Sequence, residues 1–81
     1  MTIRSLFFAS YRDLAGSEEL VIDLPSPATV EDLVRELRAS RAGLAALPPA
    51  PVVAVNMEYA ALSAPLSDGD EVAFIPPVAG G

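Results

Sequence analysis

The chain has no cysteine and no histidine, and its five basic residues are all arginines, so it has no lysine either. Without cysteine there is no disulfide, no thiolate metal ligand and no sulfur nucleophile. Histidine is the commonest general base and lysine forms Schiff bases, so both kinds of catalytic site are excluded. Serines are present, but the chain holds no histidine or lysine to activate one. The sequence therefore predicts no bound cofactor, no metal and no self-sufficient enzyme.

Positive charge is also scarce, because eleven acidic residues outnumber the five arginines and the formal net charge is −6. Nucleic acids and anionic membranes require a basic face, so neither is expected as a partner. No run approaches the roughly 20 apolar residues of a membrane span, and the first residues do not resemble a signal peptide. We expect a cytoplasmic protein whose partners are other proteins.

The length of 81 residues allows one small domain with a single core. Apolar residues make up 52% of the chain, more than a disordered chain contains, so the domain should fold on its own. We place this domain at residues 1–75 and an extended C-terminal arm at residues 76–81.

Alternation of residue types predicts two strands in the first part of the chain, at residues 2–9 and 18–24. A short helical turn ending at Gly16 connects them, and they are expected to pair as an antiparallel hairpin. In the first strand, one face carries Ile3, Ser5 and Phe7, and the other carries Arg4, Leu6 and Phe8. If Arg4 faces solvent, Leu6 and Phe8 face outward with it.

One main helix is predicted after the break at residues 25–27. Thr29 can cap its first turn, but Asp32 is shorter than the usual Glu or Gln, which leaves reciprocal capping open. Arginines favour the last turn, so we expect the helix to include Arg41 and to stop at Gly43. The apolar face of the helix carries Val30, Leu33, Val34 and Leu37.

The remaining chain predicts a proline-rich irregular connection at residues 44–51 and then three strands. The apolar run at 52–55 indicates a buried central strand, a short strand at 59–62 follows a turn, and a strand at 71–75 closes the sheet. In that last strand, Val72 and Phe74 share the inward face. The order β-β-α-β-β-β predicts an α+β fold, with a mixed sheet of four to five strands on one helix, as in the β-grasp or ubiquitin-like fold.

The chain ends in the stretch AFIPPVAGG. Pro76 and Pro77 cannot donate to a sheet ladder and favour an extended path away from it. A Gly-Gly end alone usually means a frayed terminus, but here a strand and two prolines precede it. Because glycine has no Cβ, another protein can close around this backbone while an enzyme reaches the terminal carbonyl. We predict that the Gly81 carboxylate is the reactive group at the end of a flexible tail. The residues of this tail that would thread into a partner are Pro76, Pro77, Val78 and Gly80.

Three stretches of the sequence carry a family resemblance, FFASYRDLAG, AVNMEYA and PLSDGDEVAFIPPVAGG. They resemble the small subunits of molybdopterin synthase, which are β-grasp sulfur carriers. The resemblance spans nearly the whole chain and is weakest at residues 39–51. Ile75 stands where that branch often has an aromatic residue. The Gly-Gly end alone is shared with sulfur carriers for thiamine or tRNA thiolation and with ubiquitin-like protein modifiers, so these alternatives stay open.

The resemblance implies a cycle at Gly81. An ATP-dependent adenylating enzyme would activate the carboxylate, and a sulfur donor would convert it to a thiocarboxylate. The arm would then enter the large subunit of the synthase, which supplies catalytic lysines, within a heterotetramer. Two transfers would convert cyclic pyranopterin monophosphate into the dithiolene of molybdopterin. This chain would be the sulfur-donating, non-catalytic subunit, and ATP would be consumed by the activating enzyme.

A docking patch is expected on the outer face of the sheet. Tyr59 resembles a family contact position, and the two-residue period of the strands places Phe8 and Ile75 on the outward face. These three residues are therefore predicted to bind the large subunit and the activating enzyme. The alternative is that they cap a small core that cannot cover all its apolar area.

Overall fold

The computed structural model describes residues 1–77 of the chain, which form one mixed sheet with helices on one side. The elements are β1 (Thr2–Phe7), α1 (Ala9–Ala15), β2 (Glu19–Asp23), α2 (Val30–Ser40), a 3₁₀ turn (Gly43–Ala46), β3 (Val52–Val55), β4 (Glu58–Ala60) and β5 (Glu71–Ile75). The strand order is β2-β1-β5-β3-β4, in which β1 and β5 are parallel and the other neighbours antiparallel. No helix in this described part is long and apolar enough to cross a membrane.

The core lies between the inner face of the sheet and α2. Alternate residues of the strands point into it, which confirms the predicted register of β1 and β5. Burying each large side chain fully stabilises the fold by about 1.5–3 kcal/mol relative to exposure. The buried residues of these elements are Ile3, Phe7, Val53, Val72 and Phe74 on the sheet and Val30, Leu33, Val34 and Leu37 on the helix.

The first turn of α2 has a complete capping box. The Asp32 backbone N–H donates to Thr29 Oγ1 at 3.4 Å, and the Thr29 N–H donates to Asp32 Oδ2 at 2.9 Å. Two backbone donors that a helix start leaves free are thereby satisfied. The shorter aspartate therefore caps reciprocally, which answers the question that the sequence left open.

The predicted end of this helix was wrong. The helix ends at Ser40, and Arg41 is an extended C-cap residue with φ −144° whose guanidinium donates to the Ala15 carbonyl at 2.9 Å. Gly43 is not the stop but the first residue of the 3₁₀ turn. A Cβ there would lie 2.2 Å from the Leu14 carbonyl oxygen, so the close approach of two backbones requires glycine.

The connection after α2 is also more ordered than predicted. Its 3₁₀ turn buries Leu44, and Leu47 follows it into the core, so the segment contributes to packing. Leucines spaced three apart match the three residues per turn of a 3₁₀ helix, and the nearby prolines hid this pattern.

The middle strand of the five is β5, and the apolar run at 52–55 forms β3, which is an interior strand of the sheet as predicted. β3 lies between β5 and β4, and its Val52 is 54% exposed. β4 covers residues 58–60 instead of 59–62, because the β3–β4 turn uses only Asn56 and Met57, both with positive φ. Such two-residue turns match the twist of a hairpin.

Candidate docking face and origin of the C-terminal arm

The face of the sheet that points away from the core is largely apolar. Among residues 1–77, four exposed large hydrophobic side chains lie on it or at its margin, and a fifth, Met57, lies at the β3–β4 turn. The four are Phe8 at 50%, Val21 at 58%, Val52 at 54% and Tyr59 at 78% exposure. We call this surface the outer face. A concentration of exposed apolar area on one face of a small domain is typical of a protein-binding surface.

Strand pairing brings Phe8 and Ile75 together on the outer face. Phe7 and Phe74 are register partners in the parallel pair β1–β5 and both point inward, so the next residue of each chain points outward. Phe8 is half exposed and Ile75 is half-buried. Two of the three residues predicted to bind partners are therefore neighbours at one end of the sheet.

Tyr59 lies on the same face but is separated from Ile75 by β3. Two strand spacings amount to about 10 Å. Ala54 pairs with Tyr59, and Val52 pairs with Ile75, so the outward side chains of β3 fill the gap. The exposed Val52 belongs to the candidate site and the sequence reading missed it. The alternation of Val53 and Val55 inward could have indicated it, but a short run of apolar residues predicts burial on both faces.

A group of charged residues lies within this apolar face. The Arg4 guanidinium donates to Glu19 Oε1 from Nε at 2.9 Å and from Nη2 at 2.7 Å, and to Glu71 Oε2 from Nη1 at 3.3 Å. The hydrogen bond and the charge of Glu19 raise the pKa of Arg4 above its ordinary value. We call these three residues the Arg4 cluster.

The start of β5 is held by a network of polar side chains. The Asp70 carboxylate accepts from Asn56 Nδ2 at 2.9 Å and from the Ser67 N–H at 2.7 Å, and Asn56 Oδ1 accepts from the Glu71 N–H at 3.0 Å. The Thr2 N–H donates to Asp68 Oδ1 at 2.6 Å. The network joins the β3–β4 turn, the loop before β5 and the first residue of β1, so it fixes the register of β5.

The predicted arm starts directly after the central strand. β5 ends at Ile75, and Pro76 is half-buried while Pro77 is exposed, both outside regular structure. Since β5 has a hydrogen-bonded strand on each side, the chain leaves from the middle of the sheet, beside Phe8 and Val52. The predicted tail residues Val78, Gly80 and Gly81 lie outside the described residues, and the domain boundary at residue 75 stays a prediction.

No group of acidic residues in the described part of the chain is arranged to hold a metal ion. The candidate site thus consists of an apolar surface with one charge cluster, next to the origin of a C-terminal arm.

A five-stranded mixed sheet of this order, packed on one main helix, is the β-grasp or ubiquitin-like fold, and this chain is a β-grasp protein with an apolar sheet face. The model of the ThiS family matches residues 5–81. The chain belongs to the ThiS family.

Relatives with assigned roles match over the full length. The chain is 43% identical to the molybdopterin synthase sulfur carrier subunit of Escherichia coli, covering 98% of this chain and 99% of that one. It is 40% identical to the Chlamydomonas reinhardtii protein of the same description, with 100% of both chains covered. These similarities confirm the resemblance seen in the sequence.

Solved structures share the fold. SAMP1 from Haloferax volcanii superposes with a TM-score of 0.89 at 31% identity, with 100% of both chains covered. A chain from the complex of subunits 1 and 2 of the molybdopterin-converting factor of Helicobacter pylori superposes with a TM-score of 0.72 at 27% identity, also over 100% of both chains.

Proposed function

We propose that this protein is the sulfur-carrier subunit of a molybdopterin synthase. The observation that carries the proposal is the identity of 40–43% to molybdopterin synthase sulfur carrier subunits over essentially the whole chain. The structure supports it with an apolar outer face beside the origin of the arm. The cytoplasmic location expected from the sequence is part of the proposal.

The chemistry proposed takes place at the Gly81 carboxylate. A carboxylate oxygen attacks the α-phosphate of ATP on an adenylating enzyme, pyrophosphate leaves, and an acyl-adenylate forms. A sulfur donor then displaces AMP, which leaves a thiocarboxylate. In the large subunit the thiocarboxylate sulfur bonds to a carbon of cyclic pyranopterin monophosphate, and water then hydrolyses the acyl C–S bond of the resulting thioester. The sulfur stays on the pterin, and the carboxylate of Gly81 is regenerated for another cycle. This chain contributes the sulfur and its delivery, and the large subunit contributes the acid–base groups.

The outer face is proposed as the surface that docks on the large subunit. The related Helicobacter pylori protein was solved in a complex of two subunits, which supports a partner of this kind. Phe8, Ile75 and Val52 surround the point where the arm leaves, so a partner that covers them also receives the arm. Apolar side chains at the centre of an interface supply most of its affinity. Tyr59 extends the contact across β3 to the edge strand.

The test is conversion of the terminal carboxylate, followed by transfer. The chain is incubated with an adenylating enzyme, ATP and a sulfur source, and intact-protein mass is expected to show one oxygen replaced by sulfur. Added to the large subunit and cyclic pyranopterin monophosphate, the product should yield molybdopterin.

Variants that shorten or lengthen the C-terminus test whether the position of the terminal carboxylate determines sulfur transfer. Deleting Gly81 moves the reactive carbon by more than about 3 Å, and a misplacement of about 1 Å already costs a positioned reaction roughly a hundredfold. Adding one residue after Gly81 displaces it in the other direction. Both variants should fold like the parent, bind the large subunit and fail to deliver sulfur. Normal molybdopterin formation by either variant would contradict the proposal.

A ubiquitin-like modifier is the second candidate function, and the similarity to SAMP1, the small archaeal modifier protein 1 of Haloferax volcanii, favours it. The two functions share activation but differ in the acceptor, which is a pterin in one and a protein amine in the other. Activated protein is added to a cell extract, and amide-linked conjugates are sought by mass spectrometry. Conjugates without molybdopterin formation would support the modifier. Transfer only to tRNA or to a thiamine precursor would assign the chain to those carriers instead.

A further inference from the structure

The Arg4 cluster lies inside the outer face, among apolar neighbours. Val21 is the register partner of Arg4 on β2, Leu6 is the partner of Glu19, and Ala73 follows Glu71 outward on β5. The side chains of Arg4, Glu19 and Glu71 are 51%, 40% and 34% exposed. A partner that covers the outer face therefore covers charged groups as well as apolar ones.

The hydrogen bonds of the cluster leave acceptors open. All three guanidinium nitrogens of Arg4 donate, two of them to Glu19 Oε1 and one to Glu71 Oε2. Within residues 1–77, the second carboxylate oxygen of each glutamate accepts no hydrogen bond. One positive and two negative groups give the cluster a net charge of −1. The cluster is thus able to take a further donor, and a cation suits it better than an anion.

Burying the two carboxylates under a docked partner costs free energy of desolvation. Covering a carboxylate with an apolar surface removes its water, and the loss is offset only if a new partner donates to it. A complementary charge on the facing surface restores the balance and also determines which surfaces can pair. We propose that the large subunit places one lysine or arginine against Glu19 and Glu71. This inference rests on the proposed function, since it concerns the partner of the same face.

The position of the cluster gives the contact a role in orientation. It lies at the Glu71 end of β5, whereas the arm leaves at Ile75, four residues and about 13 Å further along the strand. Apolar contacts are non-directional and leave the rotation of one surface on another weakly determined. A single ion pair at the end remote from the arm fixes that rotation, so that the arm points into the partner.

The test compares two charge-neutralising variants that change the net charge equally. Glu71→Gln makes the cluster neutral without changing its shape. Glu36→Gln, on the exposed side of α2, is the matched control. Binding of each variant to the purified large subunit is measured by surface plasmon resonance. We expect Glu71→Gln to weaken binding at least about tenfold, mostly through faster dissociation, and the control to change it less than about twofold.

The Arg4→Gln variant distinguishes a positively charged partner group from a negatively charged one. If a cation faces the glutamates, removing Arg4 leaves binding unchanged or stronger, because both carboxylates become available to it. If the partner instead presents a carboxylate to Arg4, this variant weakens binding and Glu71→Gln strengthens it, which would overturn the inference. Thermal unfolding of each variant checks that the fold is retained.

Val52→Asp keeps the failure of this inference apart from failure of the proposed docking. Val52 is exposed and lies on the outer face away from the cluster. If Val52→Asp prevents binding while Glu71→Gln and Glu36→Gln behave alike, the outer face docks but the ion pair is wrong. If Val52→Asp binds normally, the docking role of the face is wrong, and the ion pair with it. Restored binding of Glu71→Arg after one cationic residue of the large subunit is changed to glutamate would identify the contact.

Discussion

The rings of Phe7 and Phe74 stack in the core, with centroids 5.3 Å apart and planes inclined by 15°. The stack joins β1 to the central strand at the point where the arm begins. Because both rings point inward as register partners, Phe8 and Ile75 must emerge side by side on the other face. The same pairing therefore stabilises the core and assembles one end of the candidate docking surface.

This relationship predicts that alanine substitutions at two neighbouring phenylalanines affect stability and binding differently. Phe7→Ala removes a buried, stacked ring and should lower the free energy of unfolding by about 3–5 kcal/mol. Phe8→Ala, at a half-exposed site, should lower it by less than about 1 kcal/mol while weakening binding to the large subunit. Urea unfolding and a binding assay of both variants check this. A strongly destabilised Phe8→Ala would mean that Phe8 caps the core.

A buried hydroxyl group predicts a stabilising substitution. Ser5 is fully buried on the inner face of β1, and its Oγ has no hydrogen-bond partner within residues 1–77. A buried polar group without a partner costs about 1–3 kcal/mol. Ser5→Ala should therefore raise the free energy of unfolding by up to that amount, measured by urea unfolding. Ser63→Ala, at an exposed site, should change it little. A loss of stability on Ser5→Ala would mean that the hydroxyl is bonded in solution.

Two glycines are predicted to resist substitution for different reasons. At Gly43 a new Cβ would lie 2.2 Å from the Leu14 carbonyl oxygen, so Gly43→Ala must push the 3₁₀ turn away from α1. At Gly69 a new Cβ would meet no atom within 4 Å, but φ there is +85°. Gly69→Ala should cost about 1–2 kcal/mol from backbone strain alone.

The expected cost at Gly43 is about 1–3 kcal/mol, the range for overpacking. The two causes are distinguished by asparagine, which tolerates a left-handed backbone. Gly69→Asn should recover much of the stability lost in Gly69→Ala, and Gly43→Asn should recover none. Thermal and urea unfolding of the four variants check both expectations.

The capping box predicts a pH dependence of stability. The hydrogen bond from the Thr29 backbone N–H lowers the pKa of Asp32 below its ordinary value of 3.8. A lowered folded-state pKa means that the ionised group stabilises the fold above pH 3.8, and that this contribution disappears as the pH falls through the folded-state pKa. The Asp32→Asn variant lacks this titration.

The measurement is the free energy of unfolding of both proteins between about pH 6 and about pH 2. The parent should be the more stable at the upper end, and the difference should shrink as the pH falls through the region of the Asp32 pKa. A constant difference across this range would show that the ionised carboxylate is not what caps α2.

The sequence predicted strand faces and helix ends correctly at positions where few residue types can fill the physical role. The alternation in β5 predicted its inward face, since a one-residue shift would expose Val72 and Phe74, whereas the inward face of β1 stayed conditional on Arg4 facing solvent. Thr29 marked the start of α2 and Gly16 the end of α1, because each supplies a cap that few residues can make.

Two of the differences, at Gly43 and at Val52, come from contact between segments distant in the sequence. Because glycine often ends helices, the sequence predicts a helix stop at Gly43, but glycine is required there by the close approach of the Leu14 backbone. The apolar run at 52–55 predicts a buried strand, but Val52 is exposed, because the place of β3 in the sheet decides which of its faces is covered.

The sequence by itself determined which reactive residue types are lacking and where the local elements lie: no cysteine, histidine or lysine among its side chains, a β-grasp element order, and two prolines directly after the last strand. Both follow from residue types and short-range periodicity. Only the tertiary structure decided that β5 is the central strand, that Phe8, Val52, Ile75 and Tyr59 share one face, and that Arg4 bridges Glu19 and Glu71 within it. These relationships depend on strand order and register, which are set by packing between residues far apart in the chain.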